Sequence, residues 1–234
     1  MTELSRLPVA EPRRRTRVGW WLTGIAVAAV AVTVAVVALR DEGPTYTVDK
    51  ELQAALLTAE DYPSGYAVTL LGKEDLERQS GGQDLPGDLQ PAGCAELLRT
   101  QPQVTGDHPV GAAQAANSGT GTYYVEVVAN SSEVERWDAS AIDGLLNACR
   151  TTTFTQDGAT GTVTFARLPA PSDARSFALL TTIEAGGVTI TIGIAVVAVG
   201  RHVLVLTGGS SGGFDEAEFT EVVRAAEDKV LTTF

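Results

Sequence analysis

The stretch VTITIGIAVVAVGRHVLVLT, residues 188–207, alternates on a period of two. Val188, Ile190, Ile192, Ile194 and Val196 fall on one side, and Thr189, Thr191, Gly193 and Ala195 on the other. That spacing belongs to a β-strand, not a helix. Gly200-Arg201 stands between Val199 and His202, where a two-residue hairpin takes glycine at its first central position. Residues 202–207 then return antiparallel. The face formed by Thr189, Thr191, Gly193 and Ala195 is small and smooth. It reads as the floor of a possible groove, as a solvent face, or as the seat of a closely packed helix.

Working outward from this hairpin, residues 151–155, 161–168 and 177–184 read as further strands, the first two joined at an Asp157-Gly158 turn signal. TYYVEVVAN, residues 122–130, is the clearest strand of the first half, and residues 66–71 read as another. Residues 73–91 are polar and rich in Gly, Gln and Asp, the composition of a loop. Helical spacing marks residues 49–57, 91–99, 132–149 and 215–230. Ser132 with Glu135 forms a capping-box pair, and Glu218 stands where it could cap the last helix. Antiparallel strands with helices outside the hairpin run predict an α+β domain, its sheet carrying the helices on one face.

Cys94 and Cys149 are the two cysteines. Cys94 shares a helix face with Leu97 and Leu98, and Cys149 ends a run with Val134, Trp137, Ile142, Leu145 and Leu146. An even count outside the cytoplasm reads as one disulfide between two apolar helix faces; two separate buried thiols are the alternative.

Compartment is set by the amino terminus. Residues 18–39 carry no charge. As a helix these 22 residues span about 33 Å at ~1.5 Å per residue, enough for a hydrocarbon core of about 30 Å. Trp20 and Trp21 stand at the headgroup level, and Arg13, Arg14, Arg15 and Arg17 precede them, which keeps the amino terminus cytoplasmic. The expected organisation is a basic tail at 1–17, a transmembrane helix at 18–39, a stalk at 40–47 and an extracytoplasmic domain at 48–234. A cleaved export signal is the rival, with Val36 and Ala38 before the cut, but the apolar run exceeds the usual length of a signal's core. No cysteine near its end offers a lipid-attachment site.

From Asp41 onward there are 27 acidic and 11 basic residues, a net charge near −16, against near +4 for the first forty residues. A surface this acidic has no general footprint for phosphate backbones, which excludes nucleic acid as a partner. Arginine exceeds lysine 14 to 3, as in translation from a GC-rich, actinobacterial genome.

The chemical motifs fail on inspection. Gly208, Ser210 and Gly212 match G-x-S-x-G, but a nucleophilic serine needs a base within reach, and that histidine follows the serine in α/β-hydrolases. His108 and His202 both precede Ser210, so residues 207–213 read instead as a flexible glycine-serine loop. That loop lacks the lysine of a phosphate cradle. The two histidines have no metal-ligand spacing, and pairs such as Glu60-Asp61 and Asp75-Glu77 lack the pattern of a calcium loop. No catalytic residue, metal or cofactor is assigned.

The segment ALLTAEDYPSGYAV, residues 55–68, together with Cys94 just before Leu97-Leu98 and Cys149 closing a helix, resembles small extracytoplasmic domains of actinobacteria. These are the sensor domains of PknH-type mycobacterial serine/threonine kinases and related envelope lipoproteins. The resemblance spans residues 48–234. It implies an antiparallel sheet with flanking helices and a groove for an envelope ligand. The chain departs from it in having about seventeen cytoplasmic residues and no kinase domain, one cysteine pair and no lipidated cysteine. The expected function is a non-catalytic, membrane-anchored binding or sensor-like domain. Its partners would be membrane lipid along residues 18–39 and an envelope small molecule, glycan, lipid or membrane protein. The alternatives are a structural or interaction subunit of an envelope membrane complex and, third, a serine hydrolase at Ser210.

Overall fold

The computed structural model describes residues 47–72, 75, 89–100, 110–130, 140–156, 159–169, 176–210 and 213–234. Residues 18–39, the Asp157-Gly158 turn, Ser132 with Glu135, His108 and most of residues 73–91 lie outside these. Among the described residues no helix is long and apolar enough to cross a membrane.

In chain order the elements are β1 (Thr47–Val48), α1 (Lys50–Ala54), β2 (Tyr66–Leu70), α2 (Ala92–Thr100), β3 (Val110–Ser118), β4 (Thr122–Asn130) and α3 (Ser140–Cys149). They continue with β5 (Thr151–Gln156), β6 (Ala159–Leu168), β7 (Ser176–Ala185), β8 (Val188–Val199), β9 (His202–Ser210) and α4 (Glu216–Thr233). The strands form one sheet in the order β1-β3-β4-β9-β8-β7-β6-β5, with β2 also beside β3. Every pairing is antiparallel except β1 with β3. The 188–207 stretch supplies its centre. Val199 pairs with His202 across a turn where Gly200 takes φ +58°, and β8 and β9 run in register from there to Thr191 and Ser210.

The expectation of helices on one face is corrected: they lie on both. Val196, Val203, Val205, Phe177 and Leu179 cluster with Ile142 of α3. Val197, Leu204, Leu206 and Ala195 cluster instead with Leu52 of α1 and with Phe219, Val222, Val223, Ala226 and Val230 of α4. The reason lies near the hairpin, where neighbouring residues on β8 and β9 are both apolar, so each face needs a cover. Along the outer strands the apolar side is Phe154, Ile183, Ile192 and Ile194, which pack with Leu89 and with Ala95 of α2.

Local chemistry explains the helix ends. α1 stops earlier than residue 57 because the Leu57 amide leaves the helix and donates to the Glu126 carboxylate, 3.1 Å away. α4 is capped by Asp215, whose side chain accepts from the amides of Ala217 and Glu218 at 2.9 and 3.0 Å. Glu218, the expected cap, is used elsewhere. The expected glycine-serine loop at 207–213 is corrected too: Thr207, Gly208, Gly209 and Ser210 belong to β9. A Cβ at Gly208 would lie 2.6 Å from the Tyr124 ring, and one at Gly209 2.6 Å from the Tyr123 hydroxyl. These glycines make room for aromatic rings instead of loosening the chain.

Candidate functional site

Three polar arrangements stand out, two closed and one open. The first lies under the segment that follows α1. Gln114 on β3 and Glu126 on β4 are cross-strand partners and almost wholly buried. Glu126 Oε2 accepts from Gln114 Nε2 at 2.7 Å, from the Leu57 amide at 3.1 Å and from the Tyr62 hydroxyl at 3.3 Å. Gln114 Nε2 also donates to the Leu57 carbonyl at 2.8 Å. Glu126 Oε1 is buried and meets no donor among the described residues. Burial raises the Glu126 carboxyl from its ordinary 4.5 to about 7, against the pull of its three donors. Burial, with the Glu126 charge beside it, also pushes the Tyr62 phenol upward.

The second arrangement ties α4 to the sheet. Glu218 Oε1 accepts from the hydroxyls of Tyr66 at 2.7 Å and Tyr124 at 2.9 Å. Desolvation and the bond to Glu218 push the Tyr66 phenol up to about 12 and raise Tyr124 as well. The rings of Tyr62, Tyr66 and Tyr124 pack mutually, with centroids 5.5–5.8 Å apart. They therefore fill their own interior and leave no cage between them. Both carboxylates act as clamps: Glu126 holds the segment after α1, and Glu218 holds β2 and β4 against α4. The ALLTAEDYPSGYAV segment supplies Leu57, Tyr62 and Tyr66 to them. At its turn the amide and hydroxyl of Thr58 donate to Asp61 Oδ2 at 2.7 and 2.8 Å.

The open arrangement continues the face predicted from Thr189 and Thr191. Strand pairing sets Thr151, Thr164, Thr182, Thr191, Ser210 and Thr122 side by side in one row across the sheet. A second row holds Thr153, Thr162, Glu184 and Thr189, and a third Thr155 and Thr160. Thr151, Thr153, Thr155, Thr160, Glu184 and Thr189 are exposed, and the remaining members are half-buried. The alternate residues Phe154, Val163 and Ile183 point to the covered side. Among the described residues the rows of this face are neutral apart from Glu184 and made of hydroxyl and methyl groups about 4.8 Å apart between strands. Threonine holds few χ1 rotamers, so the array is stiff.

The remaining predicted positions are placed as follows. Gly193 and Ala195 are buried beneath α4: a Cβ at Gly193 would meet Phe214 Cζ at 2.4 Å and Phe219 at 3.0 Å. The expected groove therefore does not run along all four residues. Its upper half, Thr189 and Thr191, joins the open face, and its lower half seats a helix. Cys94 and Cys149 form a disulfide with Cα atoms 4.9 Å apart, both fully buried beside Leu145. Ser210 lies on the top row, with Thr122 Oγ1 donating to its hydroxyl at 3.3 Å. His202 is at the other end of β9, about 26 Å away at ~3.3 Å per residue, and stacks on Phe234 with centroids 3.7 Å apart. Burial, with Arg201 beside it, lowers the His202 pKa. Ser210 and His202 are not brought together. Among the described residues no three His, Cys, Asp or Glu side chains gather as metal ligands.

The threonine rows have a sequence signal, threonine at every second position in residues 151–155, 160–164 and 189–191, that strand reading alone did not connect across the sheet. Gln114 and Glu126 had a weaker one: they stand equally far from the β3–β4 turn.

No family model and no curated protein matches the chain. Solved structures are similar to the chain, two of them from mycobacteria. One is an uncharacterised protein from Mycobacterium smegmatis, at TM-score 0.49 and 22% identity, covering 73% of this chain and 92% of that one. The other is the extracellular domain of PknH from Mycobacterium tuberculosis, at TM-score 0.47 and 12% identity, covering 77% of this chain and 95% of that one.

Proposed function

We propose that the chain is a membrane-anchored, extracytoplasmic binding domain without catalytic activity, and that its open threonine face takes an uncharged glycan of the cell envelope. The face carries this reading. A surface of stiff, alternating hydroxyl and methyl groups offers donors, acceptors and apolar contact at a regular spacing, which matches the edges and faces of sugar rings. It lies within a domain of net charge near −16, so an anionic ligand would be repelled from its surroundings, and a neutral one would not. Export is supported by the uncharged run at residues 18–39 and by the buried Cys94–Cys149 bridge, which persists in an oxidising compartment.

Co-sedimentation of the full-length protein in detergent with insoluble envelope polysaccharide tests this. The wild type is expected in the pellet. Thr153→Arg, Thr160→Arg and Thr189→Arg, combined, place bulky charges on exposed positions and are expected to release it to the supernatant, each changing stability by no more than about 0.5 kcal/mol. Equal retention of the triple variant would remove the face from consideration, and absence of wild-type binding would remove the glycan.

A further inference from the structure

The end of the sheet where the chain enters also carries exposed apolar side chains, and we infer that this end rests on the bilayer surface with Leu231 and Phe234 in the headgroup layer. The inference rests on the anchoring reading above and adds which surface of the domain faces the lipid.

Thr47 pairs with Val110 at the start of β3. The β3–β4 register, with Gly111 opposite Ala129, puts Asn130 beside Val110, and His202 and then Val199 follow across the same row. Thr47 and His202 are three strand spacings apart, about 14 Å at ~4.8 Å each. The Phe234 ring lies on His202, the Gly200-Arg201 turn projects from the same row, and Arg201 is exposed. Phe234 is 46% exposed and Leu231 54%. Seven residues, 40–46, connect this row to the end of the uncharged run. They reach at most about 24 Å at ~3.4 Å per residue, so this end cannot stand far from the membrane.

Two other large apolar side chains are exposed among the described residues, Leu70 and Val188. Val188 starts β8, eleven positions from Val199, so it stands about 36 Å higher. Leu70 is level with Gln114, on the outer strand. The net negative charge of the domain argues that apolar contact, more than attraction to anionic lipid, holds the lower end down, with Arg201 free to meet phosphate groups. The threonine rows, near Thr191 and Ser210 at the far end of β8 and β9, then face away from the bilayer.

The test uses the full chain in phosphatidylcholine vesicles containing a doxyl-labelled phospholipid. The native cysteines are paired, so Leu231→Cys or Val188→Cys accepts one environment-sensitive fluorophore. Expected are blue-shifted emission and lipid quenching at position 231, with neither at 188. Adding Phe234→Glu to the 231-labelled chain is expected to reduce quenching toward the level at 188. A chain that does not float with vesicles overturns both this inference and the anchoring reading. A chain that floats but quenches equally at the two positions overturns this inference alone. Energy transfer between 231 labels without lipid quenching also overturns it, and assigns the face to a second copy of the chain.

Discussion

Glu126 has three donors on one oxygen and, among the described residues, none on the other. Burial raises the pKa from 4.5 to about 7, and because Oε1 is the oxygen without a donor, it can take up the proton while Oε2 keeps accepting from its three donors. Between these values the folded protein holds a proton that the unfolded chain has lost, so each rise in pH favours unfolding. The contribution is fully present below about 4.5 and is lost as pH rises through about 7, up to about 3 kcal/mol at 1.36 kcal/mol per unit. Glu126→Gln keeps an acceptor for the same donors and an N–H₂ in place of the protonated oxygen. Urea unfolding from about pH 4.5 to pH 8 should show wild-type stability falling relative to the variant across that window, while His202, whose lowered pKa makes stability rise with pH toward 6.5, contributes equally to both. Parallel slopes would mean that Glu126 is ionised throughout. Asp61 works in the other direction and outside this window. The Thr58 amide bond, aided by Lys229, lowers its pKa below 3.8, so its contribution is lost only in stronger acid.

At the scale of elements, the seat of α4 is two glycines deep. Phe219 lies over both Gly193 and Gly208, and a side chain at Gly193 has no room between Phe214 and Phe219. Gly193→Val is expected to cost about 1–3 kcal/mol in denaturant unfolding, by overpacking. Gly144 in α3 is the contrast: it is exposed, and a Cβ there would meet nothing within 4 Å. Gly144→Ala should stabilise by about 0.5–1 kcal/mol in the same measurement, since it only removes backbone freedom from a helix interior. The strands around both sites were legible from their period of two, and α4 from the spacing of Phe219, Val222, Val223 and Ala226. What covers Gly193 was not, because period-two reading shows that a face is small without showing what fills it. Glu126 was hidden for a related reason. Within TYYVEVVAN a glutamate reads as a solvent-facing residue, and only Leu57 and Tyr62, 69 and 64 positions away, close over it. Glu218 looked like a cap because its tyrosine partners come from strands 152 and 94 positions distant.

At the scale of the whole molecule, the described residues form a sheet with two unlike covers, and the disulfide belongs to one of them. Cys94 on α2 and Cys149 at the end of α3 join the helices that shield Phe177, Val196, Phe154 and Ile194. α1 and α4 on the opposite face are tied by the Glu126 and Glu218 clamps and need no bridge. The separation of 55 residues gives a loop whose closure is worth about 4 kcal/mol in the chain-entropy account. Thr152 Oγ1, 3.2 Å from Cys94 Sγ, donates to the Cys149 carbonyl, so the backbone at the junction keeps a bond when the sulfurs are removed. The double variant Cys94→Ala with Cys149→Ala is therefore expected to fold, with stability lowered by up to about 4 kcal/mol in guanidinium unfolding. Hydrogen exchange should localise the loss: amides of α2 and α3 exchange faster, while those of α4 and of β8 and β9 keep their protection until global unfolding. Uniformly faster exchange over both faces would show that the two covers do not unfold separately. An unchanged midpoint would show that packing of Leu145 and Phe165 around the cysteines holds the helices without the bond.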